Sequence, residues 1–270
     1  MFNRMMVGAL AVTAAAALAP AAMAQLEPEP VPIPTDPLTI CELTAPPFAN
    51  LIVGDDTANT LVGGPGVDVI VGKGGNDTIL GLQGNDLICA GEGDDTVRAG
   101  EGNDTVYAQD GDDRVDAGPD NDFVDGGNQN DRIRAGEGDD EAFGGMDRDE
   151  IDGEEGDDRL LAGSTADEDF SRNFVRGGPG NDDMFGSPGN DVMSGDRGDD
   201  NVRGLGGNDR LRGGAGRDWL PAGRGNDRLF GGDGVDRLEG EEGDDRLNGG
   251  RAVDTTCDGG TGNNTIIDCP

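Results

Sequence analysis

Histidine is absent from the 270 residues, lysine occurs once (Lys73), and aromatic residues make up only 4% of the chain. Without imidazole the chain lacks the commonest general base and the commonest transition-metal ligand. The four serines (Ser164, Ser171, Ser187 and Ser194) fall in turns, at a strand edge or in an interruption of the pattern below. None has an evident activating base, so nucleophilic catalysis finds no support. The lone lysine stands in no strand, glycine loop and helix context, which excludes a phosphate loop. No twelve-residue ligand loop is flanked by helix-forming sequence, which excludes an EF-hand. Scarce aromatics beside 50 glycines are a poor recipe for a conventional two-layer core. Basic residues are scarce too, 20 against 56 acidic, for a net charge of -36 at pH 7. That sign repels a phosphate backbone and argues against a nucleic-acid partner. Alone it would read as disorder. A folded chain of this composition needs a hard counter-cation, and Ca2+ is the natural one.

Only one long apolar run occurs, Val7 to Ala19, preceded by Arg4 and followed by Ala22-Met23-Ala24 before Gln25. The pattern predicts a cleaved Sec signal peptide over residues 1–24, no membrane span in the mature chain, and a secreted, extracellular product. Residues 25–40 are proline-rich and acidic and read as an extended spacer. Export to an oxidising compartment allows the four cysteines to pair.

Glycine is present in strict order. From Gly54 the chain divides every nine residues, as in Gly63 to Val71 (GGPGVDVIV), Gly72 to Leu80 (GKGGNDTIL) and Gly81 to Cys89 (GLQGNDLIC). The pattern is G-G-x-G-x-D-x-U-x, with U a large apolar residue. Two interruptions are predicted, residues 162–167 and Asp258. Position six is aspartate and position eight apolar in nearly every row, a shared phase that low-complexity disorder does not explain. Positions one to six carry the glycines that permit positive φ and so make a turn, while seven to nine make a short strand with its middle side chain inward. Two rows make one 18-residue coil. Ile70, Ile88, Val106 and Val124 then stack on one wall, and Ile79, Val97 and Val115 on the other. Ala142 and Thr256 are poor core residues in this scheme. Arg197-Gly198-Asp199 and the sequons at Asn76 and Asn103 are products of the repeat grammar.

These rows resemble the RTX (repeats-in-toxin) family, the haemolysin-type calcium-binding repeats, over everything after the N-terminal extension. The resemblance implies an all-β chain folded as a parallel β-roll, a right-handed β-helix-like solenoid holding multiple Ca2+ ions. It implies metal ligation by the position-six aspartates together with backbone carbonyls. Those aspartates are Asp68, Asp77, Asp86, Asp95, Asp104, Asp113, Asp122, Asp131, Asp140, Asp149, Asp158, Asp182, Asp191, Asp200, Asp209, Asp218, Asp227, Asp236 and Asp245. An ion would lie between Asp68 and Asp86, Asp77 and Asp95, Asp200 and Asp218, or Asp227 and Asp245. Asn59, Asn173 and Asn264 at position six weaken their sites. So do Asp120, Gln129, Asp147 and Ala252 at position four, Gln129 and Ala252 most. RTX proteins typically use an uncleaved C-terminal export signal, which the apparent Sec signal here replaces.

The expected organisation is a signal peptide (1–24), a proline-rich linker and N-terminal cap (25–53), a first repeat block (54–161), an insertion (162–167) and a second block with a disulfide cap (168–270). Local pairing of Cys41 with Cys89 and Cys257 with Cys269 fits a straight roll, because a disulfide needs Cα atoms within about 7 Å. Leu38 to Val53 would cover the apolar outer patch at Val69, Val71, Leu87 and Cys89. No catalytic residues are expected. The leading expectation is a secreted, non-enzymatic structural or surface-interaction module that folds on Ca2+. The alternative is an accessory module for an anionic extracellular polysaccharide, read from a column of Arg210, Arg228 and Arg246 beside Arg212, Phe230 and Asn248. In the plainer reading of that column, Asp209 and Asp227 compensate the arginines.

Overall fold

The computed structural model describes residues 49–163, 170–251 and 256–269. The expected signal peptide and spacer, and Cys41, lie outside them. The described residues form two parallel 12-stranded sheets and no helix. Odd-numbered strands run from β1 (Asn50–Val53) to β23 (Thr256–Asp258), and even-numbered ones from β2 (Thr60–Val62) to β24 (Thr265–Ile267). Each strand pairs with the strand two places on, so the chain crosses to the opposite sheet and returns after 18 residues. Ile70 thus lies opposite Ile88, Ile88 opposite Val106 and Val106 opposite Val124. Ile79, Val97 and Val115 make the matching column in the second sheet. This is the expected β-roll.

Period-two alternation supplies the core. Position eight points between the sheets and is buried from Leu61 to Leu247, while positions seven and nine face outward. Position-one alanines such as Ala90, Ala99 and Ala108 join this aliphatic seam. Ala142 is fully buried in register with Val124 and Leu160, so the seam continues through it on a smaller side chain.

Strands are longer than three residues where the ladder continues past the bend. Thr78–Gln83 and Arg210–Ala215, for example, run from position seven to position three of the next row. Among the described residues positive φ falls at positions two and four of the rows, and at Asp268 beyond the last row. Position two adopts it even with a side chain, as at Lys73 (82°), Leu82 (85°) and Glu154 (73°). Gln129 (78°), Asp120 (79°) and Asp147 (71°) adopt it at position four.

The register also locates the interruptions. Glu150 of β12 (Glu150–Glu155) lies opposite Phe174 of β14 (Phe174–Pro179), an offset of 24 that is one coil plus six residues. At the far end the structure corrects the sequence reading. Arg237, Leu238 and Glu239 pair with Thr256, Cys257 and Asp258, an offset of 19. The extra residue therefore precedes Thr256. Cys257, not Thr256, takes the inward position and packs against the core, and Asp258 ends the strand as an ordinary position nine. Cys257 is bonded to Cys269, with Cα atoms 6.0 Å apart.

The two outer faces differ in kind. On the second sheet Arg98, Arg114, Arg132, Arg134, Arg176, Arg210, Arg212, Arg228 and Arg246 are all exposed, nine of the chain's 20 basic residues. The first sheet instead carries an aromatic ladder, with ring centroids 5.7 Å apart for Tyr107 and Phe123 and 5.4 Å for Phe123 and Phe143. Val69, Val71 and Cys89 are fully buried on that outer face, beside Ala49.

Glycine should be replaceable only where the next coil leaves room. A Cβ on Gly66 meets nothing within 4 Å, whereas Gly225 has φ of 135° and its Cβ would overlap the carbonyl oxygen of Gly207. In Ca2+, Gly66→Ala should change stability by under about 0.5 kcal/mol. Gly225→Ala should cost more than about 1 kcal/mol. Paired thermal melts check the contrast.

Candidate metal centre

Position six lies where the turn ends and the strand begins. There the backbone N–H donates to Oδ1 of the position-six side chain one coil on, an aspartate in most rows and an asparagine for Asp149 and Asp245. The distance is 2.8 Å from Asp68 to Asp86, 2.6 Å from Asp77 to Asp95, 3.0 Å from Asp200 to Asp218 and 2.8 Å from Asp227 to Asp245. Each pair expected to share an ion is thus two adjacent rungs of a ladder, and there are two ladders, one holding Asp68, Asp86, Asp200 and Asp218 and the other Asp77, Asp95, Asp227 and Asp245. The first ladder crosses the insertion, with Asp158 donating to Asp182 at 3.0 Å. All nineteen aspartates are buried, none more than 4% exposed.

The second carboxylate oxygen carries the chemistry. Oδ2 of Asp77, Asp86, Asp95, Asp104, Asp113, Asp122, Asp131, Asp140, Asp158, Asp182, Asp200, Asp209, Asp218, Asp227 and Asp245 is buried without a hydrogen-bond donor. A buried charged oxygen in that state is costly. It also faces other oxygens. A methyl group built on Gly81 would overlap both Asp86 Oδ2 and the carbonyl oxygen of Ala99, so two acceptors converge with no proton between them. Asn264 shows what that point requires, since its Nδ2–H donates to the Gly259 carbonyl at 2.6 Å. An amide supplies a proton there; a carboxylate would need a cation or a proton of its own.

Among the described residues no three histidine, cysteine, aspartate or glutamate side chains cluster as a metal site. An ion here would complete its six to eight oxygens from backbone carbonyls, a donor set that suits Ca2+. The position-six aspartates would supply the charge.

Electrostatics point the same way. Burial, reinforced by repulsion from neighbouring aspartates and opposed by the ladder N–H, pushes the Asp131 and Asp209 carboxyls up to about 9, Asp122 to about 8, and Asp104 and Asp113 to about 7. Asp86 and Asp95 rise to about 6, again chiefly by burial.

Individual rungs depart from the pattern. Asp68 Oδ2 accepts the Gly64 N–H at 2.5 Å. Asp191 Oδ2 accepts the Ser187 N–H at 2.6 Å and its hydroxyl at 3.0 Å, so a position-two serine occupies that oxygen. The row of Gln129, expected to be weak, keeps its rung, with Asp131 donating to Asp149 at 2.9 Å. Asp254 and Ala252 lie outside the described residues. Asn50, within the expected cap, stands in register with Asp68, so the first sheet begins one row earlier than Gly54. Asn50-Leu51-Ile52-Val53 repeats positions six to nine, and that was the available signal.

A two-sheet parallel roll whose turns stack buried carboxylates against carbonyls defines a cation-binding β-solenoid. The family model for the RTX calcium-binding nonapeptide repeat matches residues 53–88, 90–124, 125–167, 171–193, 185–220, 194–229 and 221–256, and the chain belongs to that family. No curated protein matches the chain.

Protonation should substitute in part for the ion. These carboxyls have folded pKa values above the ordinary value near 4, so the metal-free roll binds more protons than the unfolded chain. Its stability is fully present below about pH 4 and is lost as pH rises through about 6 to 9. Metal-stripped protein should therefore gain β signal in circular dichroism on going from pH 8 to pH 5. At pH 8, millimolar Ca2+ should restore it.

Proposed function

We propose that this chain is a secreted calcium-binding module, non-enzymatic, with a structural or surface-interaction role, that folds as it takes up several Ca2+ ions. The observation that carries the reading is the file of buried Oδ2 atoms with no donor. Loading the ladder converts mutual repulsion into shared coordination, so binding free energy becomes folding free energy. Secretion is supported by the signal-like residues 1–24 and by the Cys257–Cys269 disulfide, a bond suited to oxidising compartments.

One observation favours a second reading, an accessory module for an anionic extracellular polysaccharide. Arg210, Arg228 and Arg246 stack in register on an exposed face. The expected compensation by Asp209 and Asp227 is absent, because both carboxylates point inward and are 1% exposed. Among the described residues the three arginines form no ion pair, whereas Arg132 meets Glu150 one coil on at 2.5 Å. A run of unpaired like charges on a protein of charge -36 suits an anionic partner.

Calcium titration followed by circular dichroism tests the first reading. The expected result is a largely unfolded chain in chelator at pH 7.5 that becomes a cooperative β-fold in Ca2+. Equal β signal in both conditions would refute it. Asp86→Ala should raise the calcium midpoint several-fold, since Asp86 belongs to two adjacent rungs. Removing the exposed carboxylate in Glu92→Ala should leave the midpoint unchanged.

A further inference from the structure

Beside the arginine column, the outer face of the second sheet is hollowed into a trough of about 600 Å³. It forms because the strands bend past position one and position two is mostly glycine, so Gly178, Gly214 and Gly232 leave a floor without side chains. Position nine makes one wall, with Arg176, Arg212 and Phe230 on alternate coils or neighbours in register. Position three makes the other, from Arg197 to Arg251. The trough crosses β14, β16 (Val192–Arg197), β18 (Arg210–Ala215) and β20 (Arg228–Asp233), a span of about 15 Å at ordinary strand spacing.

Its lining is local to this stretch. The same wall in the first block carries Glu101, Glu137 and Glu155 at position three, where the trough has Arg197 and Arg251. Four arginines face two carboxylates. Asp196 is taken by Arg176 at 2.5 Å, and Asp233 lies 3.9 Å from Arg251. Among the described residues Arg212 and Arg197 make no ion pair, and the Arg212 guanidinium stacks 5.8 Å over the ring of Phe230, which is 39% exposed.

Resting on the polysaccharide reading above, we propose that this trough is the binding site for a carboxylated, uronate-type polysaccharide lying along the roll axis. A uronate ring has a C–H face, which suits the exposed Phe230 ring, and a planar carboxylate, which suits the forked donors of Arg212 and Arg197. The column of Arg210, Arg228 and Arg246 runs parallel to the trough and draws the polymer by charge. An open, shallow trough admits a chain that passes through rather than a ligand with a buried end.

Titration calorimetry with polygalacturonate in millimolar Ca2+ tests the assignment, with dextran and duplex DNA as comparison polymers. Calcium alone can bridge two carboxylates, so the decisive variants leave the aspartate ladder intact. Arg212→Ser with Phe230→Ala should weaken polygalacturonate binding about tenfold or more. Phe230→Trp should retain it, and the calcium midpoint should be unchanged in both. Arg210→Ser, Arg228→Ser and Arg246→Ser together should flatten the salt dependence. If wild type binds polygalacturonate and the trough variant binds equally well, the trough is overturned while the polysaccharide reading stands. If wild type binds no uronate polymer, or prefers duplex DNA, both fall.

Discussion

A carboxylate oxygen buried opposite a carbonyl, with no hydrogen-bond donor between them, is the constraint on which this structure turns. Burying such an oxygen unsatisfied is expensive once, and here it recurs along the roll. The aliphatic seam is only one position-eight side chain per nine residues, with small alanines beside it, so the core alone offers little to offset that expense. A bound cation would remove the penalty at the same atoms that create it. Fold and ligand are therefore one problem, and the glycines belong to it too. At position-one glycines such as Gly81 an added Cβ would meet Asp Oδ2 and the next carbonyl, and at position-four glycines such as Gly225 it would meet the carbonyl of the coil before.

Much of this was legible in the sequence because the repeat imposes one rule on every row. A nine-residue phase shared by aspartate and an aliphatic residue gives the two-row coil, the parallel register and the adjacency of Asp68 with Asp86. Legibility failed where the rule was locally relaxed. At the last coil the displaced residue could be put at Asp258 or a few residues earlier with equal arithmetic. Packing decides, since Cys257 fills the seam and Thr256 does not. At the first coil Asn50 lacks the glycines that normally announce a row, yet the strand alone suffices to pair with β3 (Asp68–Gly74).

The position-two backbone was also invisible from composition, because Lys73, Leu82 and Glu154 adopt positive φ without being glycine. Each pairs there with a glycine of a neighbouring coil, Lys73 with Gly91, Leu82 with Gly100 and Glu154 with Gly136. The outer faces were legible only in part. One arginine column could be found by stepping 18 residues. The division into a basic sheet and an aromatic sheet requires assigning every row to its side, and the six-residue offset before Phe174 has to be carried through that assignment.

The neutral rungs follow from the same constraint. Asn59 and Asn264 stand on the first and last coils of the second sheet, and Asn173 stands next to the insertion. At these places the regular stack on one side is missing or displaced, so an ion would find fewer carbonyls. Each asparagine keeps the ladder bond. Asn59 donates to Asp77 Oδ1 at 2.7 Å, and the Oδ1 atoms of Asn173 and Asn264 accept from Asp149 and Asp245 at 2.8 Å and 2.7 Å. Each also spends its amide hydrogens locally. Asn264 bonds to the Gly259 carbonyl, Asn173 to the Ser187 hydroxyl at 3.3 Å, and Asn59 to Asp55 at 3.2 Å. The amides thus stand where the regular stack is interrupted and find their hydrogen-bond partners within the chain, whereas the aspartates between leave a buried oxygen without a donor.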